Sequence, residues 1–248
     1  MTHRRCADPL KPPGYYFDVE LTDSWTRVIP LHIQKRYEFI ETRNAAAVLA
    51  STNASQFQDV CDSLDAFCLT IEDIMTPGGN ETAIAARLNQ TFRDRGWQEE
   101  RAVTTIRNYM QERGRTRLSE DGKIRAETVS ENKGYYIDNV KGRVVLDVEW
   151  NAKDGNLDRD LAMYRWLYDV GFVEVAVMIT REHVQLRDLG QAMRRSAGQT
   201  EKEIGGWLGT STTTNLQKLL PRVQSGGPGG CPFLAIAVTT RTRCGVNG

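Results

Sequence analysis

Hydrophobic and polar positions between residues 143 and 180 alternate in a way that predicts a strand, a helix and a second strand. Residues 143–150 place an apolar side chain at every second position, which is the period of a strand with one face toward the core. Residues 156–170 carry apolar side chains three and four positions apart, as an amphipathic helix does, and Gly171 follows as a terminator. Residues 172–180 are almost continuously apolar, which is typical of a central strand covered on both faces. This order predicts a βαβ unit with a right-handed crossover.

The remaining patterns predict helices in the N-terminal third and a last buried strand near the C terminus. Apolar spacing predicts helices over residues 34–50, 55–75, 81–95 and 186–195. A short helix ended by Pro221 and a buried strand over residues 231–239 follow. We therefore expect one α/β domain over residues 1–248, with a central mixed β-sheet flanked by helices. Its helical N-terminal part is expected at about 34–97 and its core at about 101–240.

The net charge of the chain adds little to this picture, but the distribution of charged residues along the sequence adds more. The 32 basic and 32 acidic residues balance, so no overall field indicates a nucleic-acid partner. Residues 44–86 contain acids but no Lys or Arg, whereas residues 205–248 contain bases but no acid. This segregation favours one basic binding face, although ordinary solvated surface charge produces the same pattern. The basic stretch 101–133 is expected to be solvated surface rather than a phosphate-contacting segment.

The cysteines and the apolar runs indicate a compartment. The five cysteines form no CxxC pair, and their odd number fits reduced cytosolic thiols. Cys61 and Cys68 lie within a helical pattern, where small core residues are expected. Because neither a signal peptide nor a long apolar run is visible, we expect a soluble, cytoplasmic protein without a membrane partner.

Carboxylates occupy the polar face of the first predicted strand. Asp147, Glu149 and Asn151 share the face opposite the apolar positions, with neighbouring Cα atoms roughly 6.6 Å apart. Asp138 precedes them along the chain. Hard oxygen ligands without a nearby Cys or His favour Mg²⁺ over Zn²⁺. The alternative is an exposed strand face whose acids are simply solvated.

The spacing of these acids is that of a metal-dependent nuclease. Such enzymes commonly carry an acid, a spacer, and then acid-x-Lys on a strand, and carboxylate-held Mg²⁺ assists phosphodiester hydrolysis. Here Asp138 is followed by eight residues and then by Asp147-Val148-Glu149, so that Glu149 stands where Lys is usual. The spacing alone is weak evidence, and the strand, helix and buried strand around it strengthen the interpretation.

At these residues the chain resembles type II restriction endonucleases of the BglII, BstYI and BamHI group, within the PD-(D/E)XK nuclease superfamily. The similarity lies in YIDNVKGRVVLDVEWNAKDGNLDRDL and the buried strand after it, and in TTTNLQKLLPR and GGPGGCPFLAIAV nearer the C terminus. The helical N-terminal third carries little of it. The resemblance implies a restriction-endonuclease-like core and a homodimer that binds a short palindromic double-stranded DNA site. It implies Mg²⁺-dependent cleavage of both strands that leaves 5′-phosphates.

The resemblance also implies roles for the acids. Asp138 matches the first acid of the group, Asp147 the second and Glu149 the third position, so all three are expected to be catalytic and to bind the metal. Relatives carry Glu at the second position, where this chain has the shorter Asp147. A competing register uses Asp138, Glu149 and Asn151. Glu127 is the candidate for the polar residue that the group uses upstream of the first acid.

DNA contacts are expected from the loop after the catalytic strand and from the polar segment near residue 213. The candidate DNA-binding residues are Asn151, Lys153, Asp154, Ser211, Thr212, Thr213, Asn215, Lys218 and Arg222. The alternative for the first group is an ordinary turn, and the alternative for the hydroxyl run is a helix N-terminal cap. Trp150 is expected to pack in the core rather than to stack on a base.

Three other functions compete with a restriction enzyme. A repair or recombination nuclease would share the core but recognise DNA structure rather than sequence. A non-catalytic DNA-binding protein would carry the acids as a surface cluster. A glycosidase also uses paired acids, although aromatic sugar platforms are not apparent in this sequence.

Overall fold

The computed structural model describes residues 19–75, 83–114, 122–150, 153–206 and 213–245. Its strands are β1 (Tyr37–Thr42), β2 (Gln98–Arg101), β3 (Thr104–Gln111), β4 (Ile124–Asn132), β5 (Tyr136–Lys141), β6 (Val144–Val148), β7 (Val175–Arg181) and β8 (Phe233–Val238). Six of them form one sheet in the order β1-β8-β7-β6-β5-β2. Strands β6, β7 and β8 run parallel, while β1, β5 and β2 pair antiparallel with their neighbours. The sheet is mixed, as predicted.

Helices lie on both faces of this sheet. They are α1 (Trp25–Val28), α2 (Leu31–Gln34), α3 (Ala45–Thr52), α4 (Ala54–Ala66), α5 (Ile71–Met75), α6 (Ala83–Arg93), α7 (Asp154–Asp169), α8 (Val184–Ser196), α9 (Glu201–Gly206) and α10 (Leu216–Gln224), with a 3₁₀ turn at Thr240–Thr242. Within the described residues, none of these helices has the length and apolar character needed to cross a lipid bilayer. The cytoplasmic location and the single-domain organisation stay predictions.

Alternation along the central strands divides the core between the two faces. Val144, Leu146 and Val148 of β6 pack in one apolar cluster with helices α3, α4 and α6. Val145 packs on the opposite face, in a second cluster that includes residues of α7 and α10. Because side chains on a strand alternate, Asp147 must lie on the same face as Val145, beneath α7.

The predicted strand, helix and second strand are confirmed as β6, α7 and β7. Parallel pairing places Val144 opposite Val175 and Asp147 opposite Met178. Every residue of β7 is buried, as expected for a strand in the middle of a sheet. A tight turn at Gly142, whose φ is +60°, joins β5 to β6. An L-residue side chain is disfavoured at this φ, so glycine suits the turn that brings Asp138 back beside Asp147.

Three predictions about the N- and C-terminal elements are wrong in detail. The segment 34–50 contains the strand β1 as well as helix, because Tyr37 and its successors pair with the distant strand β8. The segment 55–75 is broken between α4 and α5, where Leu69 forms a bridge with Arg243. Pro221 lies inside α10 rather than at its end. The helix continues past it because Leu216, Leu219 and Val223 bury its apolar face, while the proline removes a single backbone donor.

The prediction of reduced thiols is wrong for two of the cysteines. Cys68 and Cys244 form a disulfide, with their Cα atoms 5.2 Å apart and a separation of 176 positions in sequence. The Leu69 N–H donates to the Thr242 carbonyl, and the Cys244 N–H donates to the Leu69 carbonyl. These hydrogen bonds bring the two thiols together. Cys61 and Cys231 are buried and free, as small core residues are expected to be, and Cys6 lies outside the described residues.

Strands β3 and β4 form a separate two-stranded hairpin that is exposed on both of its faces. It covers most of the basic stretch 101–133 and exposes its described part, while the choice between solvated surface and a phosphate-contacting segment stays a prediction. Glu127 lies on this hairpin and pairs with Arg107 at 2.9 Å. The upstream candidate is therefore held in the hairpin by a local ion pair.

Candidate active site

Asp147 lies near the end of β6 with its carboxylate buried beneath α7. Only 4% of the residue is exposed. Its Oδ1 accepts a hydrogen bond from the backbone N–H of Asp138 at 2.8 Å, and its Oδ2 accepts one from the Tyr164 hydroxyl at 2.6 Å. Both oxygens of the Asp147 carboxylate are therefore fixed by donors, one from β5 and one from α7.

Asp138 lies on the neighbouring strand at the same level. Asn139 pairs with Leu146 in the ladder between β5 and β6, and one further step along this register brings Asp138 opposite Asp147. The Oδ2 atom of Asp138 accepts a long hydrogen bond of 3.5 Å from the backbone N–H of Val148. The structure thus brings together the first two predicted acids, as the sequence spacing suggested.

Glu149 follows β6 directly and is also buried. Its backbone N–H donates to Ile179, and its backbone carbonyl accepts from the hydroxyls of Thr180 and Thr214. Its Oε2 atom is buried without a hydrogen-bond partner. Since a buried polar atom without a partner is rare, this oxygen is a natural place for a proton or a cation.

A fourth carboxylate, Asp160, joins the cluster from α7. It is 3% exposed and lies one helical turn before Tyr164, so both side chains reach the same face of the sheet. Its carboxyl group lies against that of Glu149, within hydrogen-bonding reach. Arg159 binds the Oδ1 atom of Asp160 at 2.9 Å, while the Oδ2 atom is buried without a partner.

Burial raises the pKa values of all four acids, and repulsion from neighbouring carboxylates adds to the rise for Asp138, Asp147 and Glu149. Desolvation raises the pKa of Asp147 to about 7, and the neighbouring Asp138 carboxylate adds to the rise. Desolvation and the negative charge of Asp160 raise the pKa of Glu149 well above its usual range. The pKa values of Asp138 and Asp160 are raised by desolvation as well. Such a group of acids is relieved when one of them retains a proton or when a cation binds.

Two arginines lie at the edge of this cluster. Arg159 pairs with Asp160, and about half of its side chain is exposed. Arg93 of α6 donates to the backbone carbonyl of Asp138 at 3.3 Å and is partly exposed. These guanidinium groups offset part of the negative charge and present cationic donors close to the carboxylates.

The donor set fits a hard divalent cation by its chemistry. It consists of carboxylates, and the oxygens Glu149 Oε2 and Asp160 Oδ2 have no donor. In the parts of the chain that the structure describes, no group of three or more His, Cys, Asp or Glu side chains is arranged to hold a metal ion as the side chains stand. Any ion must therefore be accompanied by adjustment of these side chains.

The candidate DNA-binding residues that the structure describes gather beyond the end of β6. Lys153 and Thr213 form a backbone bridge, and the Lys218 ammonium donates to the Thr213 carbonyl at 2.8 Å. Asn215 caps α10 by accepting from the Lys218 N–H, whereas Thr214 of the hydroxyl run donates to the Glu149 carbonyl instead of capping the helix. Arg222 pairs with Asp158 of α7 at 2.8 Å.

Several predicted site residues cannot be placed by the structure. Asn151, Ser211 and Thr212 lie outside the described residues, so the competing register with Asn151 stays a hypothesis. Asp154 is the first residue of α7, and only its backbone is described. Trp150 is buried in the core, as predicted, and the Arg181 guanidinium lies 5.9 Å from its ring centre. DNA contacts by Asn151, Asp154, Ser211 and Thr212 stay predictions.

Sequence reasoning missed Asp160, Tyr164 and Arg159. By its position in the sequence, Asp160 is an acid in the first turn of a helix, where it complements the helix dipole, and Tyr164 is part of the apolar stripe. A usable signal was present, because Asp160 lies four positions before Tyr164 and next to Leu161, on the face that the stripe turns toward the sheet. A carboxylate at the border of a buried stripe indicates a polar contact in the core.

Comparison with known proteins agrees with this geometry. The family described as "Restriction endonuclease BglII/BglIII" matches residues 37–238, which include the whole six-stranded sheet and the carboxylate cluster. A search of the curated proteins gives no match. Because the family match spans most of the chain, the expected resemblance is confirmed and the chain belongs to the BglII/BglIII family of restriction endonucleases.

Proposed function

We propose that this protein is a type II restriction endonuclease that hydrolyses both strands of a short palindromic double-stranded DNA site and leaves 5′-phosphates. Membership of the family supports a site-specific nuclease. The observation that carries the proposal is the buried cluster of Asp138, Asp147, Glu149 and Asp160 at the end of β6. Buried acids with raised pKa values are typical of catalytic sites and are costly in a purely structural role.

Asp138, Asp147 and Glu149 are the proposed ligands of Mg²⁺. A bound Mg²⁺ supplies charge neutralisation at the scissile phosphate and lowers the pKa of a water molecule. Tyr164 and the Asp138 backbone keep the Asp147 carboxylate in one orientation. Such fixed orientation is what a catalytic group needs, since a displacement of about 1 Å costs roughly 100-fold in rate.

Glu149 is the proposed general base. Its carboxylate form would accept a proton from the attacking water, and a cation bound beside it would favour that ionised form. The hydroxide that results attacks phosphorus, the bond between phosphorus and the 3′-oxygen breaks, the leaving 3′-oxygen takes a proton from water, and the phosphate stays on the 5′-oxygen. Arg159 and Arg93, at the edge of the cluster, are the proposed contacts to the phosphate oxygens during this step.

DNA recognition is proposed for the surface that follows β6 and precedes α10. Lys153, Thr213 and Lys218 lie together there, next to the carboxylates rather than at the far end of the sheet. Lys side chains contact phosphates, and hydroxyl groups contact phosphates or base edges. A homodimer is part of the proposal because a palindromic site repeats one half-site under two-fold symmetry.

The experiment is digestion of a sequenced plasmid, with Mg²⁺ in one arm and with EDTA in the other, followed by mapping of the ends. Discrete fragments with one common sequence at every end, formed only with Mg²⁺, are expected. Cutting confined to junctions or flaps would support a repair nuclease, and specific DNA binding without any cutting would support a non-catalytic binding protein. Either result would overturn the proposal.

A further inference from the structure

Asp160 has no counterpart among the three acids that the family resemblance identifies. It comes from α7, whereas Asp138, Asp147 and Glu149 come from or adjoin two neighbouring strands. It is nevertheless at least as deeply buried as any of them. A carboxylate held at this depth needs compensation, and Arg159 provides it at only one of the two oxygens of Asp160.

The hydrogen bonds around the four acids show which carboxylate oxygens have a partner and which do not. Asp147 has a donor on each of its two oxygens. Glu149 and Asp160 each keep a buried oxygen, Oε2 and Oδ2, without any donor. Because their carboxyl groups lie against each other, these two oxygens without a donor belong to the same part of the cluster.

We propose that Asp160 is a further ligand of the divalent cation and that Glu149 and Asp160 hold this ion between them, an inference that rests on the proposed nuclease function. The cation replaces the missing donors and removes the repulsion between two neighbouring carboxylates. Arg159 binds the other oxygen of Asp160 and fixes its orientation, in the way that outer hydrogen bonds commonly fix metal ligands.

The position of Asp160 on a helix gives this ligand a distinct role. Residues of β5 and β6 approach the site from the sheet, while α7 covers it from the opposite side. A ligand from α7 therefore closes the site against the sheet, and ion binding links the two layers. We expect the bound ion to raise the melting temperature of the protein in addition to enabling cleavage.

The test uses the full chain freed of metal with EDTA, with Ca²⁺ as the probe ion and calorimetric titration as the readout. Asp160→Asn removes the charge at nearly constant volume. We expect it to weaken Ca²⁺ binding by at least about tenfold and to remove the rise in melting temperature that Ca²⁺ causes. Asp169→Asn is the matched control, because Asp169 is an exposed acid on the same helix that pairs with Arg165. Its affinity for Ca²⁺ should equal that of the unchanged protein.

A double variant separates a shared ion from independent effects. If Glu149 and Asp160 hold one ion, Asp160→Asn should cause little further loss once Glu149→Gln is present. Full additivity of the two losses would contradict a shared ion. Circular dichroism checks that each variant folds, and Asp160→Ser replaces Asp160→Asn if the latter does not. Loss of folding in both variants would make Asp160 a structural residue and overturn the proposal.

The outcomes distinguish this inference from the proposed function. If the unchanged protein binds Ca²⁺ and cuts plasmid DNA with Mg²⁺, but Asp160→Asn binds Ca²⁺ equally well, only the inference fails. If the unchanged protein neither binds Ca²⁺ nor cuts DNA, the nuclease proposal fails and the inference fails with it.

Discussion

The pH dependence of stability provides a test of the buried carboxylate at position 147. Asp147→Asn replaces an ionisable side chain by a neutral one of nearly the same shape. In the folded protein the pKa of Asp147 is raised from 3.8 to about 7, mainly by desolvation. The folded state therefore binds more protons than the unfolded state between these two values. Stability contributed by protonated Asp147 is full below about pH 4 and is lost as the pH rises through about 7.

The size of the effect follows from the two pKa values. A folded pKa of about 7 against the ordinary 3.8 corresponds to about 4 kcal/mol at a pH above 8. Asparagine can still accept the hydrogen bond from Asp138, but its amide group faces the Tyr164 hydroxyl, which costs about 1 kcal/mol at any pH. The variant should therefore be slightly less stable than the unchanged protein at pH 4 and about 3 kcal/mol more stable at pH 8.

Urea denaturation in EDTA, repeated at steps from pH 4 to pH 8, measures this difference. The difference between the two proteins reports the charge of Asp147 together with its repulsion of the other acids, which are present in both. Asp169→Asn serves as the control, because its exposed carboxylate should give a difference that stays within about 0.5 kcal/mol across the range. Parallel curves for Asp147→Asn and the unchanged protein would refute the reasoning, because they would show that Asp147 is ionised without penalty.

Three further predictions concern other contacts. Tyr164→Phe removes the hydroxyl that donates to Asp147 at 2.6 Å. It should lower the free energy of unfolding in urea by about 1.5–3 kcal/mol at pH 8 and by less at pH 4. An equal loss at the two pH values would show that the hydrogen bond does not depend on the charge of Asp147. Reduction of the disulfide, or Cys68→Ser, should lower the free energy of unfolding by about 2–5 kcal/mol, because the two cysteines lie 176 positions apart in sequence. An unchanged melting temperature under reducing agent would contradict this prediction. Arg159→Ala should lower kcat/KM for plasmid cleavage by about tenfold or more and leave the circular dichroism spectrum unchanged. Undiminished cleavage would show that Arg159 does not bind the phosphate.

The centre of the fold was predictable because its signals are local. The alternation in β6 and the continuous apolar run of β7 each identify a strand within a few residues, and the stripe of α7 lies between them. Strand β1 was missed because only its pairing with β8, almost two hundred residues away, makes it a strand. The disulfide was missed for the same reason. Pairings between distant segments leave no periodic mark in the sequence.

The candidate site was predictable only in the part that lies on the strands. Spacing brought Asp138, Asp147 and Glu149 together because β5 and β6 are joined by a turn and share one register. Asp160 and Tyr164 could not be placed by spacing, since their contact with Asp147 depends on how α7 lies across the sheet. The rotation of a helix about its axis is set by packing, and a stripe of apolar residues defines it only approximately.

The most direct test of the central claim compares cleavage and DNA binding by Glu149→Gln in parallel. In the proposed mechanism the buried carboxylates serve hydrolysis, and a different surface of the protein binds the DNA. This mechanism predicts that Glu149→Gln retains sequence-specific binding to the duplex in a gel-shift assay with Ca²⁺, yet leaves plasmid DNA uncut with Mg²⁺. Cleavage by this variant at the rate of the unchanged protein would contradict the account.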